Sequence, residues 1–393
     1  MAYFEYKTNP AYVQGAGSLY EIRRLTHHMG ERFFIITMCG PQTERVKEMV
    51  SQSFDNPMVS NLKKENAKYN KAAQIAQKYD AEGKKPVYKF ADFEGRKVTH
   101  ETLAEAAAMA KEMNADVVIG IGGGKALDMA RGVHHLTGCR VALCPTAAAS
   151  NAAATTLNVI YNEDGSAVVG AGVMDLHPDL VLADTSLLVE APYQMLVAGI
   201  GDCISAAYET NTSIKEAGNR MSVVDTSYYS NEINKQVFYE HGLNAVKAAK
   251  EHKINFSFDC VIAAILHISG PYYDSMMMHF SHILNEALIG FEGPRKMIHG
   301  CVVGYGVIPQ MHYIGEPEEE FHKYIDFAKS IGLPVTLKEI GMDKVTWEEF
   351  KPFGEAAVNS VTAKFTTSKA TAEDLYRCMQ EADKRVQSYL AGK

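Results

Sequence analysis

The sequence has 393 residues, too many for one ordinary domain and enough for two. Hydrophobic residues make up 47% and charged residues 22%, so large cores can form without disulfide staples. The formal net charge of −8, spread along the chain, argues against a nucleic-acid or anionic-membrane partner, since both select a basic face.

In chain order, the N-terminal MAYFEYKTNP lacks a basic start followed by an apolar run, so no secretory signal is expected. Residues 32–38 (RFFIITM) read as a buried strand. Residues 51–84 are polar and helix-prone, and read as a solvated helical excursion. Residues 85–90 (KPVYKF) alternate as a strand, and Val98 to Asn114 has helical spacing with Thr99 as its cap. Ala115–Gly123 (ADVVIGIGG) is apolar on both faces, as central parallel strands are. A helix is expected over 125–136 and a strand over 140–144, stopped by Pro145. Residues 157–161, the turn at Asn162–Gly165 and residues 166–173 suggest a hairpin, and 180–184 (LVLAD) is the last strand candidate.

Beyond residue 186 only helical patterns remain. These elements predict a doubly wound α/β domain over 1–185 and an all-helical domain over 186–393. No run reaches the ~18 uninterrupted apolar residues of a spanning helix. The seven cysteines are scattered without a CxxC pair, as expected of reduced thiols in a cytoplasmic protein.

Residues 119–128 are IGIGGGKALD, three glycines closing a buried strand just before a helix. Glycines let backbone approach a pyrophosphate, and a helix N-terminus offers free N–H groups and partial positive charge. Lys125 adds a cation, and Asp128 lies in the first helical turn. The pattern is neither GxGxxG nor GxxxxGK[ST], and a glycine after a strand can also be purely steric.

Four separated matches give a resemblance to a known family. They are YVQGAGSLYEI at 12–22, GGGKALDMAR at 122–131, PTAAASNAAATTLNVIYNEDG at 145–165, and LVAGIGD at 196–202 followed by HFSH at 279–282 and HG at 299–300. In this order they resemble the glycerol dehydrogenase branch of the iron-containing (group III) alcohol dehydrogenases. The resemblance implies a dehydroquinate synthase-like architecture, with the active site in the cleft between a dinucleotide-binding domain and a helical domain. It implies that Gly123, Gly124, Lys125 and Asp128 hold the phosphates and ribose of NAD. Thr146 and Ala149 then lie beside the cofactor, and Thr155, Leu157, Val159 and Tyr161 line its nicotinamide end. Asp202, His279 and His299 occupy the positions of the family's metal ligands.

One carboxylate and two imidazoles leave a fourth position open, the catalytic pattern for zinc, and the same donors suit iron or manganese. Singly, Asp202 could cap a helix, His279 could be a core histidine and His299 could close a helix. Asp202 follows Gly199 and Gly201, which suggests that a turn presents it at a helix start. Iron-dependent members usually carry a histidine four residues after the aspartate; Ala206 stands there, so zinc is expected over iron. His282, near the same helix face as His279, is a candidate to relay a proton or position substrate.

The expected activity is hydride transfer between a nicotinamide and a small alcohol or its carbonyl, in a homo-oligomer. Two departures from the family matter. Asn151 replaces an aspartate that accepts hydrogen bonds from polyol hydroxyls; a neutral amide no longer repels an anion, so a hydroxycarboxylate dehydrogenase acting on 2-oxo acids is the alternative. Met38 or Cys39 stands where an aspartate often binds the adenosine ribose, which keeps NADP open beside NAD. A sugar-phosphate cyclase using NAD and a metal is the alternative of another class, but it needs a basic phosphate pocket that the residues around Asp202 and His279 do not suggest.

Overall fold

A computed structural model describes residues 10–56, 78, 81–83, 85–162, 167–169, 177–217, 222–270, 278–364 and 366–393. The chain forms two compact units. The first ends at Ala191 and lacks Ala148–Asn151; those four residues belong with the second unit, which runs from Pro192 to the C-terminus.

The first unit is built on strands β1 (Tyr12–Gly15), β2 (Arg32–Met38), β3 (Val87–Asp92), β4 (Val117–Gly122), β5 (Arg140–Pro145) and β8 (Leu180–Asp184). They form one sheet in the order β1-β8-β5-β4-β2-β3, with every pair parallel. Parallel strands covered on both faces need apolar side chains at nearly every position. Accordingly β4 and β8 are buried throughout, and β2 from Phe33 onward. The register sets Met38 beside Gly122 and Gly122 beside Pro145, so β2, β4 and β5 end at one level. Strands β6 (Val159–Tyr161) and β7 (Ala167–Val169) pair antiparallel as the expected hairpin, although most of its turn lies outside the described residues.

The helices of this unit are α1 (Ile22–Thr26), α2 (Thr43–Asp55), α3 (His100–Glu112), α4 (Gly124–Thr137) and α5 (Thr185–Leu188). Thr99 caps α3 as expected, in a capping box closed by Thr102. Helix α2 continues through Ser51–Asp55; most of the polar stretch after it lies outside the described residues.

The second unit is helical as expected: α6 (Tyr193–Ala217), α7 (Ser222–Lys250), α8 (Phe256–Ala263), α9 (Phe280–Leu288), α10 (Glu292–Arg295), α11 (His299–Ile314), α12 (Glu318–Ile331), α13 (Trp347–Val358), α14 (Val361–Lys364) and α15 (Ala372–Ala391). Phe280, Ile283, Leu284, Val302, Tyr305, Phe350, Leu375 and Met379 form one core under α9, α11, α13 and α15. Each fully buried large apolar side chain there contributes about 1.5–3 kcal/mol. Among the described residues, no helix is long and apolar enough to cross a membrane.

Candidate functional site

In the helical unit, glycine packing brings two distant segments together. A Cβ on Gly201 would strike the Gly300 carbonyl oxygen, and one on Gly300 would strike that of Ala198. Gly304 and Gly201 also approach, less tightly, with 3.2 Å from a Gly304 Cβ to the Gly201 Cα. Helices α6 and α11 therefore touch backbone to backbone, which only hydrogen side chains permit. Asp202 follows Gly201 and His299 precedes Gly300, so the same contact sets the carboxylate beside the imidazole. Gly199 packs on the Ala148 carbonyl and holds Ala148–Asn151 against α6. Asp202 lies well inside α6 rather than at a helix start; Gly199 and Gly201 serve close packing, not a turn.

Asp202, His282 and His299 form a cluster whose donor atoms all lie within 4.8 Å of one another. Asp202 Oδ1 is 3.6 Å from His299 Nε2 and 3.9 Å from His282 Nε2. Those separations are too long for hydrogen bonds. They suit a shared cation, because ligand atoms about 2.1 Å from a tetrahedral centre lie about 3.4 Å apart. Asp202 and His282 are buried, while the His299 side chain is 50% exposed and leaves one side accessible. The donor set thus fits one divalent ion. The other Asp202 oxygen accepts the Asn151 backbone N–H at 3.1 Å. Asn151 is buried, and its Nδ2 has no hydrogen-bond partner among the described residues.

His279, expected as a ligand, is not in this cluster. It precedes α9 in a non-helical conformation, φ −138° and ψ −135°, so helical spacing does not carry its side chain toward His282's neighbours. Its Nε2 instead lies 3.1 Å from Glu216 Oε2, and its Nδ1 is buried without a partner among the described residues. His282, expected as a proton relay or substrate-positioning group, lies in the cluster in its stead. A further buried residue, Glu209, was not anticipated. Its carboxylate binds His282 Nδ1 and accepts the backbone N–H groups of His279 and His282 at 3.0 and 2.8 Å. Burial alone would lower the His282 pKa, but the Glu209 charge reverses that and pushes it up to about 9. Glu209 sits seven residues after Asp202, two turns along one helix face, which is the signal that could have found it.

In the sheet unit, β4 runs into the glycine triplet and α4 starts at Gly124 with no side chain capping it. Gly122, at φ +149°, is required sterically, since a Cβ would meet the Met38 carbonyl. Gly123 and Gly124 differ: a Cβ on either meets nothing within 4 Å. The protein's own packing does not need those two glycines, and the space above them is open. Uncapped N–H groups there fit a pyrophosphate. Lys125 is exposed beside them.

Asp128, expected to hold cofactor phosphate or ribose, is buried and faces inward. It pairs with the fully buried Arg131 at 3.3 Å and accepts the Val159 backbone N–H. Burial pushes its pKa up to about 6. Arg131 in turn donates to the Ala152 carbonyl, so this ion pair braces residues 152–159 from beneath. Thr146 is buried and continues the ladder from β5, its N–H bonding the Gly122 carbonyl at 3.0 Å. Thr155 is buried, whereas Leu157, Val159 and Tyr161 keep partly accessible faces. Ala149 is partly buried in the segment carried by the helical unit. At the end of β2, Met38 and the following Cys39 are buried, and Glu94 accepts the Gly40 N–H at 2.8 Å. A carboxylate from the segment after β3 thus reaches the turn where the family often carries an aspartate.

Residues 9–185 match the family model for iron-containing alcohol dehydrogenase. The chain is 30% identical over 295 residues to a glycolaldehyde reductase of Halobacterium salinarum, covering 73% of this chain and 80% of that protein. The chain belongs to the iron-containing alcohol dehydrogenase family. It is also 26% identical over 377 residues to a glycerol dehydrogenase of Thermotoga maritima, covering 95% of each chain. The solved glycerol dehydrogenase of Schizosaccharomyces pombe has the same fold, with a TM-score of 0.84 at 22% identity, over 100% of this chain and 93% of that one. Within the family the chain stands in the glycerol dehydrogenase branch, as a glycerol dehydrogenase-like, NAD-dependent alcohol oxidoreductase of a metal-containing group.

Proposed function

We propose that this protein oxidises a small polyol or alcohol with NAD, or reduces the matching carbonyl, using one zinc ion held by Asp202, His282 and His299. The observation that carries this is the carboxylate and two imidazole nitrogens within 4.8 Å of one another. A divalent cation bound there supplies Lewis-acid charge to a substrate oxygen. The chain's residues do the rest. The uncapped turn at Gly123 and Gly124 binds the pyrophosphate, and Asp128 and Arg131 hold the segment ending at Val159 in place. Asn151 is positioned by its backbone bond to Asp202, and its Nδ2, without a partner among the described residues, can donate to a substrate oxygen. In the oxidation, the carbinol carbon gives its hydride to NAD and the hydroxyl proton leaves to solvent.

Several observations support the finer choices. A carboxylate at Glu94, on the turn after β2, favours a ribose 2′-hydroxyl over a 2′-phosphate and so NAD over NADP. Zinc is favoured by Ala206, which removes a fourth protein ligand one turn after Asp202. Glycerol dehydrogenases recur among the relatives, and we take a vicinal diol as the substrate class; a homo-oligomer in the cytoplasm completes this reading. The test is a panel of initial rates with glycerol, 1,2-diols, simple alcohols and small 2-oxo acids, each with NAD and NADP and with zinc or iron added. The expected result is highest kcat/KM for a vicinal diol with NAD and zinc. Turnover confined to 2-oxo acids would replace the polyol reading with the hydroxycarboxylate one.

A further inference from the structure

Glu209 is fully buried, and a carboxylate in such a place must be compensated by donors or it destabilises the fold. Its three donors among the described residues all come from the start of α9. Oε1 accepts the N–H groups of His279 and His282, and Oε2 binds His282 Nδ1. Helix α9 has no side-chain cap of its own; Glu209 of α6 accepts the His279 and His282 N–H groups at its positive end, and Gln310 accepts that of Ser281. Helix α6 therefore contributes twice to the cluster, through Asp202 directly and through Glu209 two turns later.

The bond to Nδ1 has a second consequence. An ionised carboxylate only accepts, so Nδ1 must carry the hydrogen. In the neutral ring that leaves the lone pair on Nε2, the atom 3.9 Å from Asp202 Oδ1. We propose that Glu209 is a positioning residue of the cation site: it fixes His282 in the ligating tautomer and locks the start of α9 in register with Asp202. The inference rests on the cation reading above, but concerns a residue that touches neither cation nor substrate.

Glu209→Gln separates this role from simple helix capping. The amide oxygen can still accept the two backbone N–H groups. Its NH2, however, faces Nδ1, which must then accept and push the proton to Nε2, the wrong tautomer for a ligand. Zinc affinity of the full-length protein would be measured by competition with a chromogenic chelator, with NADH binding followed by fluorescence as the folding control. Partners of this kind are worth about ten- to a hundredfold in metal affinity. We expect Glu209→Gln to weaken zinc by that factor with NADH affinity within about twofold of the parent, and Glu209→Asp to recover part of the loss. Zinc affinity of Glu209→Gln equal to that of the parent overturns the inference and leaves the cation site standing. Should Glu209→Gln fail to fold, Glu209→Asp decides alone: unchanged zinc affinity overturns the inference, and a loss with intact NADH binding supports it. An unaltered protein that takes up neither zinc nor iron overturns the cation reading and this inference with it.

Discussion

His279 and His282 are three residues apart, and only one of them reaches Asp202. Position relative to the helix start decides which. His282 lies inside α9 and turns its Nε2 toward the carboxylate, while His279 lies before the first turn and faces Glu216. The consequence is measurable as metal content after purification without added metal. His282→Gln should lose its zinc and turnover. His279→Gln should keep metal near one per chain, with modest loss of stability from the broken contact to Glu216. Metal retained in His282→Gln and lost in His279→Gln would return His279 to the ligand set. The sequence offers little to choose between the two, because a spacing of three places both near one face only if both are helical. Asp202 posed the opposite difficulty. Its neighbouring glycines look like turn formers in one dimension, and their need becomes plain only when Gly300, a hundred residues away, is seen against them.

Single elements were easier to read than single contacts. Strands β2, β4 and β8 announce themselves because burial on both faces demands unbroken apolar runs, and α3 because Thr99 and Thr102 close a local box. Their order across the sheet is set by pairings between distant segments and is not written in any one of them. The glycines in the strand–turn–helix unit of β4 and α4, where we propose the pyrophosphate binds, divide into two kinds. Gly120 and Gly122 are needed for packing, since a Cβ would strike Ala130 and Met38 respectively. Gly124 is not, and it begins a helix at an ordinary φ. Gly124→Ala should therefore leave thermal stability unchanged or raise it by about 0.4–1 kcal/mol, through the unfolded state. The same methyl would occupy the space offered to the pyrophosphate, at a cost of about 1–3 kcal/mol. That is a loss of about five- to 140-fold in NADH affinity. Thermal melts and fluorescence titration on one sample check both halves. Tight NADH binding in this variant would move the dinucleotide away from the turn.

At the scale of the whole molecule, the two cores and the proposed cation contribute separately. The helical unit buries an apolar core that does not include the ligand atoms, so removal of metal should not unfold it. Dialysis against a strong chelator is expected to abolish turnover and leave the far-ultraviolet circular dichroism unchanged. A ligand present at about a hundred times its Kd stabilises by about 2.7 kcal/mol, so Tm should fall by a few degrees and recover with zinc. Loss of helical signal on chelation would make the ion structural.

One detail of the chain path bears on how such a protein can be cut or recombined. The stretch Ala148–Asn151 leaves the sheet-bearing unit between β5 and β6, packs on Gly199, and donates from Asn151 to Asp202 before the chain returns. The second unit is therefore not one continuous piece of sequence. A fragment beginning at Pro192 would keep Asp202, Glu209, His282 and His299 yet leave the Asp202 carboxylate short of one donor. The halves of this protein are not interchangeable cassettes: a shuffled chimera joined at 191 would graft the four-residue visitor of one parent onto the helices of the other.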